Sequence, residues 1–290
     1  MKGHQVPRTV VQLLLSQLDP EGCYLRKRHR LKRRVYRNEG PNAVWHADGY
    51  DKLKPYGFPV HGCIDGWSRK VLWLHVTRSN NYPDNIASYF LEDIQKYTGC
   101  PVKIYTDLGT ENSTMAAIQC FFRNDDDAHC YCSSPRNQRI ENFWSSLRRG
   151  RTAWWINFFK DMIEEQNIKT GCTFETDCLW FCFSHLIQND LDRFVEYWNT
   201  HRIRKSRVTV SGKPNALYYL PEQYGRTANL LLSVPEHEIN YAKNNLVEKE
   251  DHAENFEYFQ YLINTCGYSK PANWREGLEL FKKLIQMSGQ

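Results

Sequence analysis

The sequence predicts an α/β fold in which a mixed five-stranded sheet is flanked by helices. Three strand-like runs follow one another in the first half of the chain, which indicates antiparallel pairing through short turns. Strand-like and helical segments then alternate, which is typical of parallel strands joined by helices. We expect an amphipathic helix and a basic linker before this region, and a helical tail after it.

The bulk composition is that of a globular protein. The chain has 290 residues, of which 41% are hydrophobic and 24% are charged. No run approaches the roughly 18 to 20 apolar residues that a membrane-spanning helix needs, so we expect no membrane partner. The apolar patch near the N-terminus lacks a small-residue cleavage site, so we expect no signal peptide.

The ten cysteines favour reduced thiols in an intracellular protein over a zinc centre. No Cys-x-x-Cys pair occurs in the sequence. His129, Cys130 and Cys132 lie close together, but no second cluster has the spacing that would complete a tetrahedral zinc site.

Residues 1–38 are expected to form one helix and a linker. Apolar residues from Val10 to Leu18 recur at helical spacing, and the turn-forming residues 19–22 should end the helix. One amphipathic helix cannot bury its own apolar face. The segment therefore resembles the last helix of a truncated helix-turn-helix unit.

The linker carries a dense positive charge. Eight lysines and arginines and no acidic residue lie between Arg26 and Arg37. Such a block suits a polyanion or a nuclear import receptor, and a solvated, extended linker is the simpler alternative. We assign DNA contacts to seven of its residues: Arg26, Lys27, Arg28, Arg30, Lys32, Arg33 and Arg34.

The region 39–225 is expected to hold the catalytic core, and the region 226–290 a helical C-terminal extension. The predicted strands cover residues 43–50, 60–65, 70–76, 102–106 and 129–132. The predicted helices cover residues 83–98, 111–122 and a segment from about residue 135 past residue 147. This order of strands and helices is the order of the ribonuclease H-like fold.

Three acidic residues fall where this fold would bring different elements together. Asp48 lies in the first strand, Asp107 at the carboxyl end of the fourth, and Glu141 early in the last helix of the core. The first and fourth strands are neighbours in this fold, and ligands tend to bind at the carboxyl ends of strands. Singly, each acid has a simpler interpretation as a turn residue or as a helix-dipole partner.

Three carboxylates at one place raise each other's pKa unless a cation is bound. Oxygen ligands of this kind favour Mg²⁺ or Mn²⁺ over softer ions. Two such ions can activate a water or a 3′-hydroxyl and can stabilise the leaving oxygen in phosphoryl transfer.

Other polar residues of this region receive separate interpretations. We expect Asp65 to be structural and to bond to nearby backbone or to Arg69. We expect His46 to pack on the face of the first strand opposite to Asp48. Phosphate contacts are assigned to the arginines on or near the helix that carries Glu141, which are Arg139, Arg148 and Arg149. The alternative for these arginines is a solvated helix face.

Four segments resemble the motifs of integrase core domains. They are residues 45–50 around the first Asp, the hairpin 64–69, residues 105–112 around the second Asp, and residues 137–144 around the Glu. Asp107 and Glu141 are 34 positions apart, close to the D,D-35-E spacing of that family. The resemblance spans about residues 33 to 220, and the chain resembles in particular the integrase-core proteins of eukaryotic mobile elements.

The resemblance implies a retroviral-integrase-like DDE transposase that nicks DNA ends and transfers strands. It implies that Asp48, Asp107 and Glu141 are catalytic and bind two Mg²⁺ or Mn²⁺ ions. It further implies DNA ends and target DNA as partners, a homo-oligomer when active, and a location in the nucleus. The alternatives are a domesticated, catalytically silent DNA-binding protein derived from a transposable element, and a ribonuclease H-type nuclease that hydrolyses without joining.

Overall fold

The computed structural model describes residues 7–28, 38–132, 137–165, 168, 172–205, 210–225, 229–247 and 255–288. The chain divides into two compact units, Met1–Arg37 and Asn38–Gln290. Within the described residues, no helix is long and apolar enough to cross a membrane.

The first unit contains two helices, α1 (Arg8–Leu18) and α2 (Pro20–Arg28). Helix α1 ends as predicted, but α2 was not predicted. Pro20 begins α2, at a position where its missing N–H is not needed, and the Asp19 carboxylate accepts a hydrogen bond of 2.8 Å from the Gly22 N–H. The residues that end one helix therefore start the next. The side chains of Arg26, Lys27 and Arg28, and the whole of Arg30, Lys32, Arg33 and Arg34, lie outside the described residues.

The second unit contains a five-stranded sheet and a separate two-stranded ladder. The sheet order is β3-β2-β1-β5-β6, and β4 pairs with β7. Strands β1, β2 and β3 are antiparallel, whereas β5 runs parallel to β1 and β6 parallel to β5. This is the predicted mixed sheet of the ribonuclease H-like fold. The strands are β1 (Val44–Tyr50), β2 (Val60–Asp65), β3 (Val71–Val76), β4 (Gly99–Cys100), β5 (Lys103–Thr106), β6 (His129–Tyr131) and β7 (Leu232–Ser233).

Helices cover both faces of the sheet. Strand β2 is buried along its whole length, because its two faces meet two different hydrophobic clusters. On one side Ile64 packs with α5, α6 and α7, and on the other Cys63 packs with α3 and α4. The helices of this unit are α3 (Pro83–Tyr97), α4 (Ser113–Arg123), α5 (Gln138–Leu147), α6 (Ala153–Glu164), α7 (Thr173–Thr200), α8 (Pro214–Tyr219), α9 (Glu236–Asn244), α10 (Asn255–Cys266) and α11 (Trp274–Ser288).

The last two helices belong to the main hydrophobic cluster. Phe259 of α10 and Phe281 of α11 are 0% and 1% exposed, and they lie in the same cluster as Phe183 of α7. Gly277 lets α11 approach α7 closely, since a Cβ there would lie 2.8 Å from the Phe183 ring. The predicted helical character of the C-terminal region is confirmed, and its helices complete the core that supports the sheet.

Candidate active site

The three acidic residues lie on three different elements, and the strands β1 and β5 that position two of them are neighbours inside the sheet. Asp107 directly follows β5, and Glu141 lies in the first turn of α5. His46 of β1 pairs with Tyr105 of β5 in parallel register, so two residues further along these strands come Asp48 and Asp107. The register therefore brings the two aspartates level with each other.

The charges of Asp107 and Glu141 both act on Asp48. The pKa of Asp48 is raised to about 7, mainly by burial and also by these two nearby charges. A hydrogen bond from Trp144 opposes this shift. In the described part of the chain, no three His, Cys, Asp or Glu side chains are arranged to hold a metal ion. The assignment of the three acids as metal ligands therefore stays a prediction.

Trp144 of α5 contacts Asp48 directly. It is 5% exposed, and its Nε1–H donates a 2.9 Å hydrogen bond to Asp48 Oδ2. Trp144 lies three positions after Glu141, which places both residues on one side of α5. This spacing of three residues was the signal in the sequence that could have placed Trp144 beside the acids. Its indole N–H can only donate a hydrogen bond, so a carboxylate is a suitable partner.

Gly62 makes room for this indole. It pairs with Asp48 across β1 and β2, and a Cβ at Gly62 would lie 2.8 Å from Trp144 Cη2. Contacts this short force the neighbour to move. The glycine therefore allows Trp144 to lie beneath the strand pair and reach the Asp48 carboxylate.

Gly62→Ala is expected to lower the free energy of unfolding by about 1–3 kcal/mol, the usual cost of overpacking a core. Urea unfolding measures this value. Trp144→Phe removes the nearest of the atoms that the new methyl group would meet, so Gly62→Ala should cost less stability in the Trp144→Phe background than in the wild type. An equal loss in both backgrounds would show that Trp144 is not what the methyl group meets.

Asp107 is held by its own turn. Its Oδ1 accepts hydrogen bonds from the Gly109 N–H at 3.3 Å and from Asn112 Nδ2 at 3.1 Å. Asn112 is fully buried and ends a short 3-10 turn, Thr110–Asn112. Its contribution was missed, because a sequence motif does not show which side chain turns inward.

Asn137 ties α5 to β1. It directly precedes α5, and its Oδ1 lies 2.6 Å from His46 Nδ1, while its Nδ2 donates to the Ala47 carbonyl at 3.3 Å. These bonds fix the start of the helix that carries Glu141 against the strand that carries Asp48. Sequence analysis did not single out Asn137.

The predicted packing role of His46 is confirmed, but its predicted orientation was wrong. His46 is fully buried, and burial lowers its pKa to about 4, so the ring is neutral at physiological pH. His46 contacts Asn137 and Asp48 contacts Trp144, which lie before and within the same helix. Residues two apart on a strand share a face, so His46 and Asp48 lie on one side of β1.

The structural role predicted for Asp65 is confirmed. Its Oδ1 accepts from the Asn42 N–H at 2.7 Å, and its Oδ2 accepts from the Ser68 N–H at 2.7 Å and the Ser68 hydroxyl at 2.6 Å. The alternative partner, Arg69, instead donates to the Val210 carbonyl at 2.7 Å. Asp65 thus stabilises the β2–β3 hairpin through backbone contacts.

The three arginines assigned to DNA lie in different surroundings. Arg148 and Arg149 are exposed on a π-helical turn between α5 and α6, where Arg149 donates to Ser146 Oγ at 3.4 Å. Arg139 is partly buried, and its charge acts on His46 and Arg69. Arg148 and Arg149 are therefore the better placed of the three for phosphate contacts.

Comparisons with known proteins find one matching family model and several similar solved structures. The family model described as integrase core domain matches residues 35–220. The simian T-cell lymphotropic virus intasome in complex with PP2A regulatory subunit B56 gamma is similar at a TM-score of 0.44 and 16% identity, over 72% of this chain and 63% of that chain. The chain thus spans less than two thirds of the length of that relative.

Two further structures show the HTLV-2 integrase catalytic core domain in complex with magnesium, in trimeric and dimeric forms. Each has a TM-score of 0.40 and 17% identity, and each match covers 63% of this chain and 100% of the other. No curated protein sequence matches this chain.

Proposed function

We propose that this chain, which belongs to the integrase core domain family, is a DDE-type integrase or transposase that nicks DNA ends and transfers strands. DNA integration is the activity of that family. The observation that carries the proposal is the placement of Asp48, Asp107 and Glu141 on β1, after β5 and in α5, with the charges of Asp107 and Glu141 acting on Asp48.

The donor set fits a hard divalent cation. All three side chains offer carboxylate oxygens, and the pKa of about 7 for Asp48 reflects first the burial of this carboxylate and then the nearby charges of Asp107 and Glu141. A cation relieves the cost of these negative charges, so Asp48, Asp107 and Glu141 would hold Mg²⁺ or Mn²⁺, with two ions proposed. When bound, the ions would supply Lewis-acid activation of the nucleophile and stabilisation of the leaving oxygen.

The surrounding side chains would prepare the carboxylates for this role. Trp144 holds one oxygen of Asp48, Asn112 holds one oxygen of Asp107, and Asn137 fixes the helix of Glu141. Arg148 and Arg149 would hold the DNA backbone beside them through charge-assisted hydrogen bonds. The proposed partners are element ends and target DNA, held by a homo-oligomer in the nucleus.

A strand-transfer assay tests the proposal. The full chain is incubated with Mn²⁺ and a labelled duplex that carries the terminal sequence of the encoding element, beside a duplex of scrambled sequence. Joined products are expected. Hydrolysis without joining would instead identify a ribonuclease H-type nuclease.

A domesticated, catalytically silent DNA-binding protein is the second candidate. It is favoured by one observation: among the described residues, no three His, Cys, Asp or Glu side chains are arranged to hold a metal ion. Binding of the duplex without nicking or joining, and with equal affinity in Mn²⁺ and in EDTA, would support this candidate over the enzyme.

The raised pKa of Asp48 gives the metal-free protein a specific pH dependence. The pKa of about 7 in the folded state exceeds the ordinary aspartate value of 3.8, so the folded state holds the proton more tightly and loses stability as pH rises between these values. Asp48→Asn mimics the neutral form and keeps an acceptor for Trp144. In EDTA its Tm should exceed that of the wild type at pH 8, with a smaller difference at pH 5. An equal difference at both pH values would contradict the shift.

A further inference from the structure

A line of buried polar side chains leads from β3 to Asp107. At one end, Trp73 Nε1 of β3 donates a 3.1 Å hydrogen bond to His61 Nδ1 of β2. At the other end, Asn112 Nδ2 donates a 3.1 Å hydrogen bond to Asp107 Oδ1. His61 and Asn112 are both 0% exposed, and buried polar groups of this kind require partners.

The bond from Trp73 fixes the tautomer of His61. An indole N–H can only donate, so His61 Nδ1 must accept, and the ring proton must lie on Nε2. Burial lowers the pKa of His61 to about 3, so the ring is neutral at physiological pH. His61 Nε2–H is therefore a buried donor that faces away from Trp73.

The acceptor for this donor is Asn112 Oδ1. Among the described residues, His61 Nε2 and Asn112 Oδ1 are buried atoms without a standard hydrogen bond. The two side chains interact with each other, and one of the two atoms is a donor while the other is an acceptor. Pairing the His61 Nε2–H donor with the Asn112 Oδ1 acceptor satisfies both buried atoms.

We infer that His61 and Asn112 form a positioning relay that orients the Asp107 carboxylate. With Oδ1 turned toward His61, the Asn112 amide presents Nδ2 to Asp107 and, at 3.4 Å, to Glu111 Oε1. A flipped amide would place an oxygen against the carboxylates and an N–H against the His61 donor. His61 touches Asp107 only through Asn112, so it is a positioning residue. The inference rests on the proposed role of Asp107.

The imidazole tautomer gives a test that needs neither metal nor DNA. Nitrogen-15 NMR of the full chain, with the His61 signal identified by its loss in His61→Gln, should show a neutral ring protonated on Nε2 throughout pH 5–8. A ring protonated on Nδ1, or a ring that becomes charged in this range, would overturn the relay.

Metal affinity tests the consequence for Asp107. Mn²⁺ binding is followed by the electron paramagnetic resonance signal of the free ion. Asn112→Ala and His61→Leu should each weaken binding by about 10- to 100-fold, the usual effect of losing an outer partner of a metal ligand. His61→Gln keeps a donor near the Nε2 position and should restore most of the affinity.

A double variant separates the relay from a general loss of stability. If His61 acts through Asn112, adding His61→Leu to Asn112→Ala should weaken Mn²⁺ binding no further. Leu280→Val in α11 serves as a control for a destabilised core and should leave the affinity unchanged. Additive losses, or wild-type affinity in His61→Leu, would overturn the inference.

The relay and the proposed function can be overturned independently of each other. A wild type that binds Mn²⁺ but never joins DNA would overturn the function and leave the relay standing. A wild type that joins DNA, with unchanged affinity in His61→Leu, would overturn the relay alone. If the wild type bound no Mn²⁺, the proposed function would be overturned. The observed tautomer of His61 would then decide whether the relay is present.

Discussion

Asp107→Asn is expected to lower DNA joining about 1,000-fold, which corresponds to about 4 kcal/mol of transition-state stabilisation. The amide oxygen can still accept the bonds from Gly109 and Asn112, so the turn is kept. The lost negative charge removes one of the three carboxylates proposed to hold the metal. Single-turnover strand transfer in Mn²⁺ measures the effect.

The control for this variant is Asp125→Asn. The Asp125 carboxylate likewise accepts a hydrogen bond from the backbone N–H two residues on, at 2.9 Å to Asp127. Asp125 starts a different 3-10 turn. The Asp125→Asn substitution therefore removes one negative charge from a similar turn outside the proposed site. Asp125→Asn should join DNA at the wild-type rate, and both variants should bind the duplex in EDTA as the wild type does. More than a tenth of wild-type joining in Asp107→Asn would remove Asp107 from the catalytic set.

Phe281→Ala is expected to lower the free energy of unfolding by about 3–5 kcal/mol, the usual range for removing a buried Phe side chain. Phe281 is 1% exposed and lies in the cluster that also contains Phe183 of α7 and Ile64 of β2. Because this cluster supports the sheet, the loss should appear in the main unfolding transition. Urea unfolding followed by circular dichroism measures it.

Met287→Ala is the matched control in the same helix. Met287 is 38% exposed, so its replacement should change the unfolding free energy by less than about 0.5 kcal/mol. If Phe281→Ala lost only α11, in a separate early transition that left the main one unchanged, the C-terminal helices would be an appendage rather than part of the core.

The fold was largely predictable, because its signals are local. Strand β2 was predicted with its observed bounds, since apolar residues are framed by turn residues on both sides. Helix α2 was missed, because Pro20 was interpreted only as the end of a helix, although proline also suits the first helical position. The same residue type serves both roles, and the local sequence alone did not separate them.

The site was predictable only in part. Asp48, Asp107 and Glu141 were proposed as the site because the motifs around them resemble those of integrase core domains. Trp144, Asn112, Asn137 and His61 were not assigned to the site, because their contacts depend on which side chains meet across separate elements. His46 was placed on the wrong side of β1 through an error of strand periodicity, which the sequence itself could have corrected.

The sequence by itself indicated the order of the strands and helices, the family, and Asp48, Asp107 and Glu141 as the candidate acids. It could do so because hydrophobic periodicity and sequence motifs are formed by residues close together in the chain. Only the tertiary structure decided how those acids are held. The parallel register brings Asp107 level with Asp48, and the absence of a side chain at Gly62 admits the Trp144 indole. These contacts join residues far apart in the chain, and their geometry is set by packing that no local pattern encodes.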